Sequence, residues 1–166
     1  AKAVFSDLNF PIIMDEKEEP NAYYGRNRKS LIFCHFKDIT SGKFVYTCQM
    51  FDVVTHECGH YILDAIKPRY FESSSIESQA VHEAFGDVTT ILAILDNDSF
   101  CNYVILATKG KLHVKSFFSD FSEQFGAALL RKANGLRNAD DNPKMNEVTK
   151  ESHDLSRVLV GAMYDI

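Results

Sequence analysis

His56-Glu57-Cys58-Gly59-His60 lies inside the run Met50 to Lys67, whose apolar content reads as a buried helix. At about 3.6 residues per turn, His56 and His60 fall one turn apart on one face. Two imidazoles so placed can hold one Zn²⁺, with Glu57 beside them as general base. The pentapeptide alone leaves a second reading open: a buried helix with two hydrogen-bonded histidines. A third ligand elsewhere in the chain decides between the two.

C-terminal to this run, Lys67-Pro68 predicts a helix stop. Arg69 to Ser75 reads as a loop, with Ser73-Ser74-Ser75 leading into a helix cap. A second helix is expected over Ile76 to Leu95, where Ala80, Val81, Ala84, Phe85, Val88, Ile91 and Leu92 recur at helical spacing. It ends at Asp96-Asn97-Asp98. Glu83 and Asp87 share a face of it at i, i+4. Two carboxylates on an otherwise apolar helix are costly to bury unpaired. Glu83 can complete a His₂Glu zinc site with its fourth position open, the catalytic pattern. Asp87 can accept a hydrogen bond from the far nitrogen of a ligating histidine. The competing reading places both on the wet face of the helix. Asp64, one turn past His60, either orients that ring or faces water. His82, about 100° round the helix from Glu83, is expected beside the ligands or at the surface, not among them.

Upstream, short extended segments are predicted at Phe10–Met14, Asn21–Tyr24 (an edge), Leu31–Phe36 and Phe44–Tyr46, with a turn at Thr40-Ser41-Gly42. Downstream, helices are expected over Phe100–Ala107 and Phe117–Lys132, the latter stopping at Asn134-Gly135. A polar loop, Leu136–Lys150, precedes a last helix from about Ser152. The fold class is therefore α+β, mainly helical. One domain is expected over 1–166, with a β-rich edge region at 1–48 and a helical zinc-binding part at 49–166. The 166 residues carry a net charge of −5 and show no basic stripe, which argues against nucleic acid as a partner. The longest apolar run, Ile91 to Leu95, is too short to span a bilayer. Cys34, Cys48, Cys58 and Cys101 form no C-x-x-C pair. The chain starts at Ala1, and Ser156 to Ile166 reads as a helix without a stop signal. A truncated fragment, or a chain whose leader was removed, is expected.

Taken together, these residues resemble the thermolysin-like zinc peptidases over most of the chain. Asp52-Val53-Val54-Thr55-His56-Glu57-Cys58-Gly59-His60 is similar to the family's D-V-V-x-H-E-x-x-H helix, and Glu83-Ala84-Phe85-Gly86-Asp87 to its E-A-x-x-D helix. Asn21-Ala22-Tyr23 resembles the edge strand that hydrogen-bonds substrate backbone. Leu136-Arg137-Asn138 resembles the segment whose arginine binds a substrate carbonyl. His153-Asp154-Leu155-Ser156, with Ala162-Met163-Tyr164, resembles the helix bearing the transition-state histidine.

The resemblance implies a thermolysin-like zincin core with a short N-terminal β region, acting as a zinc endopeptidase. It implies one Zn²⁺ on His56, His60 and Glu83, with Asp87 behind them. Glu57 and His153 would be catalytic, with Tyr70 a candidate to assist. Asn21, Ala22 and Arg137 would bind a peptide or protein substrate. An apolar residue after the cut is expected, since gapless matching puts Phe44, Val53 and Leu136 around it. A secreted, extracellular setting and a pro-segment also accord with the family.

The chain departs from the pattern in several places. Most of the family's N-terminal β part and C-terminal helical domain are absent. Ile94 stands eleven residues past Glu83, where an acid is expected; Asp52 remains, and bound calcium is doubtful. Val148 replaces the acidic partner of the catalytic histidine, with Glu147 beside it and Glu151 nearer to His153. These departures motivate an alternative: a catalytically impaired, zinc-stabilised binding domain derived from such a peptidase.

Overall fold

The structure is a computed structural model that describes residues 10–114, 116, 118–121 and 137–166. It is α+β. Most of the predicted helix Phe117–Lys132 and its stop at Asn134-Gly135 lie outside the described residues.

The β-rich half is small. Strands β1 (Ile12–Ile13), β2 (Ala22–Gly25) and β3 (Ser30–Phe33) form a sheet in the order β1-β3-β2. β2 runs antiparallel to β3 and lies at the sheet edge, as the Asn21–Tyr24 segment predicts. The predicted strand Leu31–Phe36 is divided. After β3 the chain continues as β4 (His35–Lys37), which pairs with β5 (Phe44–Tyr46). Cys34 is the break. Its N–H donates to Asn21 O on one side and Thr47 Oγ1 on the other. Thr47 N–H donates back to Cys34 O. The backbone changes partner there, which a hydrophobicity pattern does not register.

Helix α1 (Phe51–Ile66) carries the pentapeptide. It stops before Pro68, but the following residues are not the loop predicted. Pro68 starts a short helix, α2 (Pro68–Glu72), where its missing N–H costs nothing. Helix α3 (Ile76–Leu95) is capped by Ser75, whose hydroxyl accepts from Ser78 N–H at 3.2 Å. Asn97 caps α4 (Asp98–Thr108) in the same way. The two-residue strands β6 (Asp120–Phe121) and β7 (Arg137–Asn138) pair antiparallel. The last helix, α5 (Ser152–Tyr164), is capped by the carboxylate of Glu151.

Two apolar clusters flank the helices. Tyr24, Leu31, Phe33, Phe36, Met50 and Val53 fill the space between the sheet and α1. Ala84, Ile91, Ile94, Val104, Phe118 and Val160 join α3 to α4 and α5. Helix α3 packs on α1 with one face and on α5 with another, so it is the shared wall.

The α1–α3 contact is very close because both helices present glycine. A Cβ at Gly59 would sit 2.7 Å from Gly86 Cα. A Cβ at Gly86 would sit 2.6 Å from His56 Nδ1. No side chain fits at either point, so the pair sets how near His56 comes to α3. Nearby, Thr55 Oγ1 and Thr90 Oγ1 bond across the helices at 2.9 Å, and Thr90 Oγ1 donates to Asp52 O.

Candidate metal centre

The close approach of α1 and α3 brings the predicted ligands together. His56 and His60, one turn apart, have ring centroids 4.7 Å apart. The Glu83 carboxylate reaches across from α3. Its Oε2 is 3.2 Å from His56 Nε2, and its Oε1 is 3.7 Å from His60 Nε2. Ligand atoms of His56, Glu57 and His60 all lie within 4.8 Å of one another. A zinc ion bound tetrahedrally through bonds of about 2.0–2.2 Å separates its ligand atoms by roughly 3.3–3.5 Å. The two Glu83 separations, one from each carboxylate oxygen, lie either side of that value, and two imidazoles with a carboxylate are donors of the type zinc takes.

Asp87 is almost fully buried, and its Oδ1 lies 2.9 Å from His56 Nδ1. That contact turns Nε2 toward Glu83, the orientation a ligating imidazole needs. The wet-face reading of Glu83 and Asp87 does not hold.

Asp64 does neither thing predicted for it. It is buried and accepts from Tyr24 Oη at 2.9 Å and from Arg26 Nε at 3.2 Å. Arg26 also pairs with Glu72. Asp64 thus ties β2 to α1 and α2. His60 Nδ1 is buried with no hydrogen-bond partner among the described residues.

The electrostatics follow from burial and proximity. Burial pushes the Glu57 carboxyl up to about 7; the neighbouring His56 opposes this and Glu83 adds to it. The backbone of Tyr24 also works against that rise, and Glu57 Oε2 is buried without a hydrogen-bond partner among the described residues. At His56, burial works against the charged form, but the hydrogen bonds to Asp87 and Glu83 outweigh it and hold the ring at about 10. His60 is driven down to about 3 by burial and by the charge on His56. Glu83 lies well below the usual carboxylate range. Burial opposes its charge, but the close approach of His153, His56 and His60 prevails.

His153 enters from the start of α5. Its Nε2 lies 3.1 Å from Glu83 Oε2, and its Nδ1 lies 2.7 Å from Glu151 Oε1. The acid beside this histidine is therefore Glu151, two residues before it; a five-residue spacing points instead to Val148. The same carboxylate caps the helix through Asp154 N–H. His153 remains half exposed, on the open side of the site.

An open cleft of about 420 Å³ runs over these groups. Asn21 and Ala22 of the β2 edge line it, as do Tyr70 and Phe71 of α2. The side chain of Arg137 and the whole of Leu136 lie outside the described residues. The other two residues assigned to an apolar subsite are not in the cleft wall. Val53 is buried in the core cluster under the sheet. Phe44 packs on the His35 ring and under Lys37. Both were placed by a gapless count, and a count across a changed β region does not preserve which face a residue occupies.

Residues that pattern reading missed include Gly59, Gly86 and Tyr24. Their signal is faint: a glycine on each helix and a tyrosine at the edge strand. His82 is not at the surface; it is buried, beside Phe71 and His60. Among the described residues no helix is long and apolar enough to cross a membrane.

Comparison with family models, curated proteins and solved structures finds no match to this chain.

Proposed function

We propose that this chain is a zinc-dependent endopeptidase built like the core of the thermolysin-like enzymes. One observation carries the reading. A partly buried glutamate from one helix meets the Nε2 atoms of two histidines from another at 3.2 and 3.7 Å, with Asp87 orienting one of the rings. His56, His60 and Glu83 would hold the ion. When bound, zinc polarises a scissile carbonyl and acidifies a water.

The remaining work falls to the chain itself. Glu57, with its raised carboxyl and an Oε2 that has no partner among the described residues, takes the water's proton and passes it to the leaving amine nitrogen. His153 donates from Nε2 toward the developing oxyanion, while Glu151 holds its Nδ1. Tyr70, also in the cleft wall, can add a second donor. The β2 edge at Asn21 and Ala22 offers the substrate backbone a strand to pair with.

The test is zinc stoichiometry on the purified chain, with peptide hydrolysis by wild type and Glu57→Gln. The reading expects one zinc per chain, lost in His60→Ala, and turnover that collapses in Glu57→Gln. Zinc bound without turnover would leave the non-catalytic, zinc-stabilised domain. Equal cleavage by both proteins would remove Glu57 as the base.

A further inference from the structure

Two elements remote from each other in sequence line the cleft: β2 through Asn21 and Ala22, and α2 through Tyr70 and Phe71. One side chain joins both to the helix of the candidate ligands. Arg26 follows directly on β2. Its Nε lies 3.1 Å from Asp64 Oδ1 and 3.2 Å from Oδ2. Its Nη2 donates to Pro68 O at 3.4 Å and to Glu72 Oε1 at 3.2 Å, at the two ends of α2. The guanidinium stands over the Phe71 ring, 5.5 Å from its centroid. Asp64 is buried on α1, one turn past His60, and also accepts from Tyr24 Oη at 2.9 Å. Tyr24 lies two residues after Ala22, so the two side chains share a face of β2. Its ring meets Tyr61 of α1 and Phe71 of α2 edge-on, at 5.6 and 5.7 Å. Both lining elements are thus fastened to one buried carboxylate on the helix that carries His56, Glu57 and His60. On its other side β2 pairs with β3, and no described strand pairs with its outer edge.

We propose that Asp64 and Arg26 are positioning residues that form a clasp: they fix the β2 edge and α2 relative to α1, so that a peptide paired along β2 is delivered in register with Glu57. The proposal rests on the peptidase reading above. Magnitudes decide which contact matters. Asp64 is buried and holds two side chains from the β2 segment, so removing either partner of the Asp64–Arg26 pair leaves a buried group unmet. Glu72 is 61% exposed, and ion pairs so open to water contribute little. The clasp therefore centres on Asp64 and Arg26, with Glu72 as its minor arm. A substrate that spans β2 draws affinity from main-chain pairing with that edge. A substrate too short to reach the edge does not depend on where the edge stands. Substrate length therefore separates a clasp from a salt bridge that only stabilises the fold.

The experiment uses the zinc-loaded chain with two substrates that carry the same residues at the cut, a blocked dipeptide and a peptide long enough to span β2. Wild type is compared with Arg26→Gln, Arg26→Lys, Asp64→Asn and Glu72→Gln, and zinc affinity is measured for each. In Arg26→Gln we expect KM for the long substrate to rise about tenfold, the loss of one or two hydrogen bonds. Its kcat, its zinc affinity and its turnover of the short substrate should stay near wild type. Arg26→Lys keeps the charge but not the fork that reaches Asp64 and α2 together, so it should show a smaller rise of the same kind. Asp64→Asn should match Arg26→Gln, and the double variant should add little to either. Glu72→Gln should change KM by less than about twofold. If the variants lose turnover of both substrates equally, or none of them changes KM for the long one, the clasp is wrong and the peptidase reading stands. Weaker zinc binding in Arg26→Gln would also overturn the clasp. Should Arg26→Gln and Asp64→Asn fail to fold, Arg26→Lys decides: a rise confined to the long substrate supports the clasp, and any other result rejects it. If wild type binds zinc and cleaves neither substrate, the peptidase reading fails and the clasp falls with it.

Discussion

Asp87 and Glu83 push the His56 ring up to about 10 against the cost of burial, which favours its protonated form in the metal-free site. A metal needs that ring neutral at Nε2. Zinc binding at pH 7 should therefore expel about one proton, and affinity should rise up to tenfold per pH unit below 10. Calorimetry in two buffers of different ionisation heat measures this; a proton count of zero would remove the His56–Asp87 pair as the cause. The same shift sets a stability trend. Because the folded value lies above the ordinary 6.5, the contribution of His56 is fully present below pH 6.5 and is lost as pH rises to about 10. Metal-free protein should lose denaturant resistance across that window, and Asp87→Asn should flatten the slope. Asp87→Ala should also weaken zinc binding by roughly 10–100-fold. Histidines and acids at these spacings are visible in the sequence. Which nitrogen faces which oxygen is not, because that depends on two helices meeting.

At the scale of elements, the two long helices were legible because their apolar positions repeat at the helical period and Pro68 and Ser75 punctuate them. Their crossing was not legible. It rests on Gly59 and Gly86, where an added Cβ would lie under 3 Å from the facing atoms. Gly86→Ala should push the His56 ring and the facing backbone apart, at about 1–3 kcal/mol of stability. For a chain of this length that is a fall of roughly 2–4 °C in melting temperature per kcal/mol. A thermal scan of the metal-free protein checks it. The same variant should bind zinc more weakly, since the wall carrying Glu83 moves away from His56. A normal melt with normal affinity would mean the helices tolerate a wider crossing. The segment Leu31–Phe36 reads as one strand because an apolar, aromatic-rich run reports burial, not partner. Only Cys34, bonded to Asn21 on one side and Thr47 on the other, shows the switch.

Across the whole molecule, the candidate site lies between two apolar clusters, one under the sheet and one beneath α4 and α5. An ion bound to α1 and α3 would couple both. Saturating zinc at about 1,000 times its Kd adds roughly 4 kcal/mol to folding, so chelation should lower the melting temperature by many degrees. An unchanged melt after verified metal removal would reject a buried site. The sequence by itself determined the helical periods, their stop signals and the kinds of side chain each helix could bring to a shared ion. Those depend on neighbours in the chain. Tertiary structure alone decided that Glu83 faces both imidazoles, that Asp64 serves Tyr24 and Arg26, that Glu151 steadies His153, and that His82 is buried beside Phe71 and His60. These facts depend on the angle and separation at which elements distant in sequence pack, which local spacing does not encode.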